Sequence, residues 1–152
     1  DVEFVQAQIG KQSDLEIDVE DTAHLLLGFG ANGSERSLVA SVNLDFIRKD
    51  ATRQCTAIGK LGSLRWDGIA GTVELWLLGE GGWQEVYKNQ PTRDDSYVAE
   101  WQHMIFCIEK ETQPIITGED GLKVLQIIDS ARLSSKSKSQ VEIGSVNEVW
   151  DI

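Results

Sequence analysis

One hexapeptide in the chain could take part in dinucleotide chemistry: Gly28-Phe-Gly-Ala-Asn-Gly33 matches the G-x-G-x-x-G fingerprint. Asp45 and Asp50 lie downstream at distances plausible for a ribose-binding carboxylate. The fingerprint works when its third glycine opens a helix whose N-terminus faces the pyrophosphate. Residues 37–46 instead alternate apolar and polar side chains, which is the period of a strand, and so do residues 22–29. The pattern therefore favours an antiparallel hairpin turning at Asn32-Gly33 over a phosphate loop.

Other polar residues have spacings that suit metals or acid/base work. His103 and Cys107 are four apart on a predicted helix and could share a metal, but no third ligand lies nearby, so a small buried cysteine is favoured. Asp18, Glu20 and Asp21 could bind a divalent cation or supply a carboxylate pair, and a solvated acidic loop is favoured. No G-x-S-x-G elbow is present. The residues alone predict no catalytic group and no metal site.

The elements that would position these residues begin with strands. Alternating segments joined by short glycine-rich turns must pair mostly antiparallel, since parallel pairing needs long crossovers. The predicted strands are 2–9, 22–29, 37–46, 52–58, 63–67, 72–78, 83–87 and 141–143. After Pro91, capping side chains at 94–96 precede a helix with apolar residues at 97, 101, 105 and 108, and a capping box at 117–120 starts a second helix.

This order predicts an α+β fold, an open, mostly antiparallel sheet with two or more helices packed on one face, as a two-layer sandwich. The other face of the sheet would stay free for a ligand or partner. Face assignment alone gives three candidates for a substrate cleft: His24, Asp45 and Arg53. Asn43 and Trp76 are assigned to the same surface, and a plain sheet-surface role is the alternative for His24.

Composition narrows the class of protein. The 152 residues suit one domain, and the net charge of -11 argues against nucleic-acid binding, which needs a basic patch. No apolar run approaches the roughly 20 residues of a membrane span. Two cysteines make no disulfide framework, so we expect a reducing, cytoplasmic location. The chain starts at Asp1 within a strand pattern and without an initiator methionine, so we expect an excised fragment.

Three segments together resemble a known family. They are 15–23 (LEIDVEDTA), 56–67 (TAIGKLGSLRWD) and 115–134 (IITGEDGLKVLQIIDSARLS). They are similar to the C-terminal domain of the Gfo/Idh/MocA oxidoreductases, the glucose-fructose oxidoreductase and inositol dehydrogenase family. The resemblance implies a partner Rossmann domain that binds NAD or NADP, and an open sheet that closes a sugar-binding cleft and builds homodimers or homotetramers. The implied chemistry is hydride transfer with a sugar, cyclitol or nucleotide-sugar.

The catalytic motifs of that family do not occur in this chain. Its lysine lies in Glu-Lys-Pro, whereas Glu109-Lys110 is followed by Glu111, and its Asp/His pair would lie upstream of Asp1. The resemblance therefore implies that residues 1–152 are a single C-terminal domain without its Rossmann domain, which binds no cofactor and is inactive alone. The alternative is a self-standing binding or assembly module that uses the exposed sheet face.

Overall fold

A computed structural model describes residues 1–30, 38–90 and 92–144. The predicted turn at Asn32-Gly33, the boundary at Pro91 and the tail from residue 145 lie outside the described residues. The strands are β1 (Val2–Gly10), β2 (Thr22–Phe29), β3 (Leu38–Asp45), β4 (Gln54–Ile58), β5 (Gly62–Asp67), β6 (Thr72–Leu77), β7 (Gln84–Lys88) and β8 (Val141–Glu142). The helices are α1 (Asp95–Lys110) and α2 (Gly118–Ser137). The α+β class with antiparallel strands is confirmed.

The strands divide into two four-stranded antiparallel sheets, a division that the sequence analysis did not predict. The first has the order β3-β2-β1-β8 and the second the order β4-β5-β6-β7. The first sheet and α2 belong to one compact unit, made of residues 1–48 and the described residues from 115 onward, and the second sheet and α1 belong to another, residues 49–114. The predicted hairpin is confirmed, because β2 and β3 pair from Thr22–Asp45 to Phe29–Leu38.

The core of the first unit lies between its sheet and α2. Val5, Ala131 and Val141 are buried at its centre. Half-buried side chains pack around them: Ala7, Ile9, Leu25, Leu27 and Ile143. These strand residues share one face because side chains alternate along a strand, and the register places Val5 opposite Leu27 and Ala7 opposite Leu25. The α2 helix begins at the predicted capping box, in which Thr117 and Asp120 bond each other's backbone N–H.

Serine hydroxyls of α2 complete the edge of β1 that β8 leaves open. The short β8 pairs only with the N-terminal part of β1. Beyond it, the Ala7 N–H donates to Ser134 Oγ at 2.9 Å and the Ile9 N–H to Ser135 Oγ at 2.8 Å. The Ser135 hydroxyl donates in turn to the Ile9 carbonyl at 3.1 Å. The Ser134 hydroxyl donates to the Ser139 carbonyl at 2.6 Å. Backbone groups that a neighbouring strand would satisfy therefore bond a helix.

Gly28, the first glycine of the G-x-G-x-x-G match, is a packing position within a strand. It is buried within β2, and a Cβ built on it would overlap the ring of Phe4 on β1. The cross-strand partner of Gly28 is Phe4 itself. The ring therefore occupies the space that a side chain at Gly28 would need.

We expect Gly28→Ala to lower the free energy of unfolding by about 1–3 kcal/mol, because the Phe4 ring must leave its place. In a Phe4→Ala background the same change should cost much less. A double-mutant cycle measured by urea unfolding gives the coupling between the two sites. Equal costs in both backgrounds would show that the ring does not limit residue 28.

The α1 helix exposes its apolar stripe in this chain. Tyr97, Trp101, Ile105 and Ile108 are 63%, 64%, 52% and 68% exposed. Its N-cap, Asp94, makes no side-chain capping bond, so the capping predicted at 94–96 does not form there. The Asp95 carboxylate accepts from the N–H and the hydroxyl of the nearby Thr92, and these bonds lower its pKa.

Candidate functional site

The face of the first sheet opposite α2 carries a row of uncharged polar side chains. Gln8, His24 and Asn43 lie side by side on β1, β2 and β3, and the next row is Gln6, Leu26 and Ser41. These residues alternate with the ones that face α2, and so they point away from the core. These side chains line a shallow cavity of about 480 Å³. Its full lining is Gln6, Ala7, Gln8, His24, Leu25, Leu26, Ser41, Asn43 and Lys138.

His24 is held in one orientation by its neighbour on β3. Its Nδ1 lies 2.6 Å from the Asn43 Oδ1. Since an amide oxygen only accepts, Nδ1 carries the proton in the neutral ring, which leaves the Nε2 lone pair as an acceptor. The side chains of Gln6, Gln8 and Ser41 make no hydrogen bond within the described ranges. The surface can therefore both donate to and accept from an uncharged, hydroxyl-bearing ligand.

The three predicted cleft residues do not all lie on one sheet. Asp45 is on the same face as His24, one row along the strands, and its carboxylate accepts the Arg48 N–H at 2.8 Å. Arg53 belongs to the second unit, where its guanidinium carbon lies 5.4 Å from the centre of the Trp66 ring. The structure thus brings His24 and Asp45 together, and Arg53 makes a cation–π contact inside its own unit.

The acidic segment is only partly a solvated loop. Asp21 is 2% exposed, and its carboxylate accepts from the Gln12 N–H at 2.7 Å, the Ser13 N–H at 3.0 Å, the Ser13 hydroxyl at 2.6 Å and the Thr22 hydroxyl at 3.0 Å. Its lone pairs are used by the protein. The hydrogen bond from the Ser13 hydroxyl, followed by the one from the Gln12 N–H, lowers the pKa of Asp21 to about 2.

The remaining acids of the segment do not form a cation site with Asp21. Glu20 pairs with the Arg132 guanidinium at 2.9 Å, and a backbone hydrogen bond together with that guanidinium lowers its pKa. Asp18 is exposed beside a second open cavity of about 570 Å³. Among the residues that the structure describes, no group of three or more His, Cys, Asp or Glu side chains is placed to hold a metal ion.

Cys107 is a small buried residue of α1, as predicted. It is 8% exposed, and its Sγ lies 3.6 Å from the His103 Nε2. The thiol also lies 3.8 Å from the Gln113 carbonyl, in the segment that follows the helix. The Cys107 thiol therefore contacts both a neighbouring turn of α1 and the segment that follows the helix.

Sequence reasoning missed a cluster of aromatic and charged side chains on the second sheet. The Arg65 guanidinium pairs with the Glu74 carboxylate at 2.6 Å and lies 4.5 Å from the centre of the Trp83 ring. Trp76 meets Trp83 edge to face, with ring centres 5.8 Å apart. The sequence indicated only that the Trp76 side chain lies on the free face of the sheet. Tryptophan and arginine are the residue types that dominate binding energy at interfaces.

The comparisons with known proteins agree on one fold. The sequence profile of the C-terminal alpha/beta domain of the GFO_IDH_MocA oxidoreductase family matches residues 1–143. By structure, the chain is similar to levoglucosan dehydrogenase in complex with NADH and levoglucosan, with a TM-score of 0.81 and 16% identity over 95% of this chain and 46% of that one. No curated protein matches the sequence.

Two further solved structures share the fold. An oxidoreductase from Agrobacterium radiobacter in complex with NAD+, L-tartaric acid and magnesium has a TM-score of 0.75 and 20% identity, over 95% of this chain and 44% of that one. The WlbA dehydrogenase from Bordetella pertussis with NADH and UDP-GlcNAcA has a TM-score of 0.65 and 20% identity, over 93% and 40%. The chain spans less than half the length of these structures. No helix that the structure describes is long and apolar enough to cross a membrane.

Proposed function

Because the chain belongs to the Gfo/Idh/MocA oxidoreductase family through its C-terminal alpha/beta domain, we propose that it is the substrate-cleft and oligomerisation domain of an NAD(P)-dependent dehydrogenase. The substrate of the whole enzyme would be a sugar, a cyclitol or a nucleotide-sugar. The observation that carries the proposal is the family match over residues 1–143. The proteins of similar fold that were solved with NADH and levoglucosan, or with NADH and UDP-GlcNAcA, support this class of substrate.

In this proposal the cofactor belongs to the rest of the enzyme. An N-terminal Rossmann domain would bind NAD or NADP, whose nicotinamide would exchange a hydride with a carbinol of the substrate. Residues 1–152 would form a single C-terminal domain that holds neither the cofactor nor the catalytic acid/base, and would be inactive alone. Gly28 supports this division, because it lies inside a strand and packs against Phe4, whereas the first glycine of a dinucleotide fingerprint forms the tight turn after a strand.

The part of this chain would be to bind and orient the substrate. His24 offers Nε2 as an acceptor for a sugar hydroxyl, since its Nδ1 is bonded to Asn43. The Asp45 carboxylate, on the same face, has acceptor sites beyond the one that Arg48 uses. We include Arg53 as the third cleft candidate. Its guanidinium is held in place by the cation–π contact with Trp66.

We further propose that the domain assembles the enzyme as a homodimer or homotetramer through its sheet. The exposed apolar stripe of α1 is a surface that isolated monomers rarely leave uncovered. The Arg65–Trp83 cluster is half-buried, and its arginine and tryptophan are residue types that carry much of the binding energy at interfaces. Both cysteines are free thiols, which fits a cytoplasmic location.

The same exposed surfaces favour a second candidate function, a self-standing assembly module without an enzymatic parent. The two candidates differ in what adjoins Asp1 in the natural protein. The intact mass and the N-terminal peptide map of that protein decide between them. A longer product with a G-x-G-x-x-G after a strand and a Glu-Lys-Pro upstream of Asp1 supports the enzyme, and a product starting near Asp1 supports the module.

The enzymatic proposal is tested by assaying the natural full-length protein and residues 1–152 in parallel. Each is given NAD or NADP with levoglucosan, myo-inositol or UDP-GlcNAc, and reduction of the cofactor is followed. We expect turnover only by the full-length protein, and no quenching by NAD of the five tryptophans of the chain alone. In the full-length protein, His24→Ala and Asp45→Ala should raise KM about tenfold, the value of one lost hydrogen bond, whereas the exposed control Thr112→Ala should not. Turnover by residues 1–152 alone would refute the proposal.

A further inference from the structure

The outer edge of β3 lacks the features that usually protect an edge strand. β3 is the terminal strand of the first sheet, and no described strand lies along its free side. Residues 38–45 contain no proline, lysine or arginine, and their pairing with β2 has no bulge. Asp45, at the end of the strand, is its one charged residue. A long, regular edge of this kind is a template for another strand.

On the opposite side of the same sheet, the outer edge of β1 is covered along most of its length. There, β8 covers the first part of β1, and the hydroxyls of Ser134 and Ser135 take up the backbone groups of Ala7 and Ile9. The β1 edge thus shows that this fold can satisfy the backbone groups of an edge strand with a short strand and with helix side chains. Among the residues that the structure describes, no comparable hydrogen bonds cover the outer edge of β3, so that edge is the one available for pairing.

The side chains of β3 are also more exposed than those of its neighbours. Leu38, Val39 and Leu44 are 59%, 54% and 61% exposed, whereas Leu25 and Leu27 on β2 are half-buried. Leu38 and Leu44 lie on the face that α2 covers nearer the centre of the sheet, and Val39 lies on the other. A further strand beside β3 would therefore bury apolar surface on both faces.

We propose that β3 pairs antiparallel with β3 of a second copy of this chain, which joins two first sheets into one of eight strands. This inference deepens the proposed oligomerisation and rests on it. Opposed residues must point to the same face, so the two-fold axis passes through a residue and not between two. An axis at Ser41 places Leu38 opposite Leu44 and Ala40 opposite Val42, and faces no like charges across the pair.

Disulfide cross-linking tests this register. In a Cys55→Ser background, which removes the exposed cysteine, S41C places two thiols on directly opposed positions, with Cβ atoms about 4.5–5.5 Å apart. V39C is the matched control, because it lies on the same strand and face, yet the two copies would be four residues, roughly 13 Å, apart. We expect covalent dimer from S41C and little from V39C. Equal yields from both, or dimer from V39C only, would overturn the register.

A charge at the axis tests the pairing itself. Ser41 is exposed, so S41K should leave the fold intact by circular dichroism while setting two ammonium groups against each other. We expect sedimentation to show a dimer dissociation constant up to about fivefold higher for S41K, the cost of like charges directly opposed, and little change for S41T. An S41K dimer of unchanged affinity would overturn edge pairing but leave assembly through a sheet face intact. A chain that is monomeric at about 100 μM would overturn both.

Discussion

Replacing Ser134 with alanine is expected to lower the free energy of unfolding by about 1–3 kcal/mol, because it strips a partner from a buried backbone N–H. Ser134 is fully buried, and its Oγ accepts the Ala7 N–H at 2.9 Å while its hydroxyl donates to the Ser139 carbonyl at 2.6 Å. With alanine in its place, β1 has neither a strand nor a hydroxyl at that point of its edge.

Ser130 provides a matched control one turn earlier on the same helix. It is equally buried, and its Oγ has no hydrogen-bond partner among the described residues. Ser130→Ala removes a desolvated hydroxyl that bonds nothing, so we expect no loss of stability and up to about 1 kcal/mol of gain. Urea unfolding of the two variants gives the comparison, and amide exchange of Ala7 should quicken only in Ser134→Ala. Similar losses from both would mean that volume and not hydrogen bonding sets the cost.

The features that the sequence predicted well are local. The β2–β3 hairpin follows from alternation over eight-residue strands, and the start of α2 follows from the spacing of Thr117 and Asp120. The outward phase of His24 and Asn43 also follows from alternation, since one face of the sheet had to be apolar. In each case the determining residues are neighbours in sequence or directly opposed across a hairpin.

The features that the sequence did not predict depend on contacts between distant segments. In the sequence Ser134 is an ordinary polar residue of a helix. Its role depends on Ala7 of β1, which is 127 residues away in the chain. The division into two sheets could not be predicted from the sequence either, because the alternation of side chains shows the two faces of a strand but not which strands lie beside it. Arg53 was therefore grouped with His24 although it lies in another unit. Asp21 is the exception, since all its donors lie within nine residues of it. It was assigned to a solvated loop because hydrophobic periodicity does not show how a loop folds back on itself.

Asp21→Asn is expected to lower the melting temperature at pH 7 by roughly 5–10 °C, the range for the loss of buried hydrogen bonds in a domain of this size. The carboxylate accepts from the N–H groups of Gln12 and Ser13 and from two hydroxyls, and these bonds fix the connection between β1 and β2. An asparagine has one acceptor oxygen and brings an NH2 group toward existing donors. The control is Asp18→Asn, an exposed residue of the same segment, which should change the melting temperature little.

The pH dependence of the stability of Asp21→Asn tests whether the charge of the Asp21 carboxylate stabilises the fold. The folded pKa of Asp21 is lowered from 3.8 to about 2, so its carboxylate stabilises the fold above about pH 4, and this stability is lost as the pH falls from about 4 toward 2. Asp67, Asp95 and Asp120 also have lowered pKa values, but they titrate in both proteins and cancel in the difference. The gap in stability between the unsubstituted chain and Asp21→Asn should therefore narrow between pH 4 and pH 2. A gap that stays constant over that interval would show that the charge of Asp21 contributes nothing to the fold.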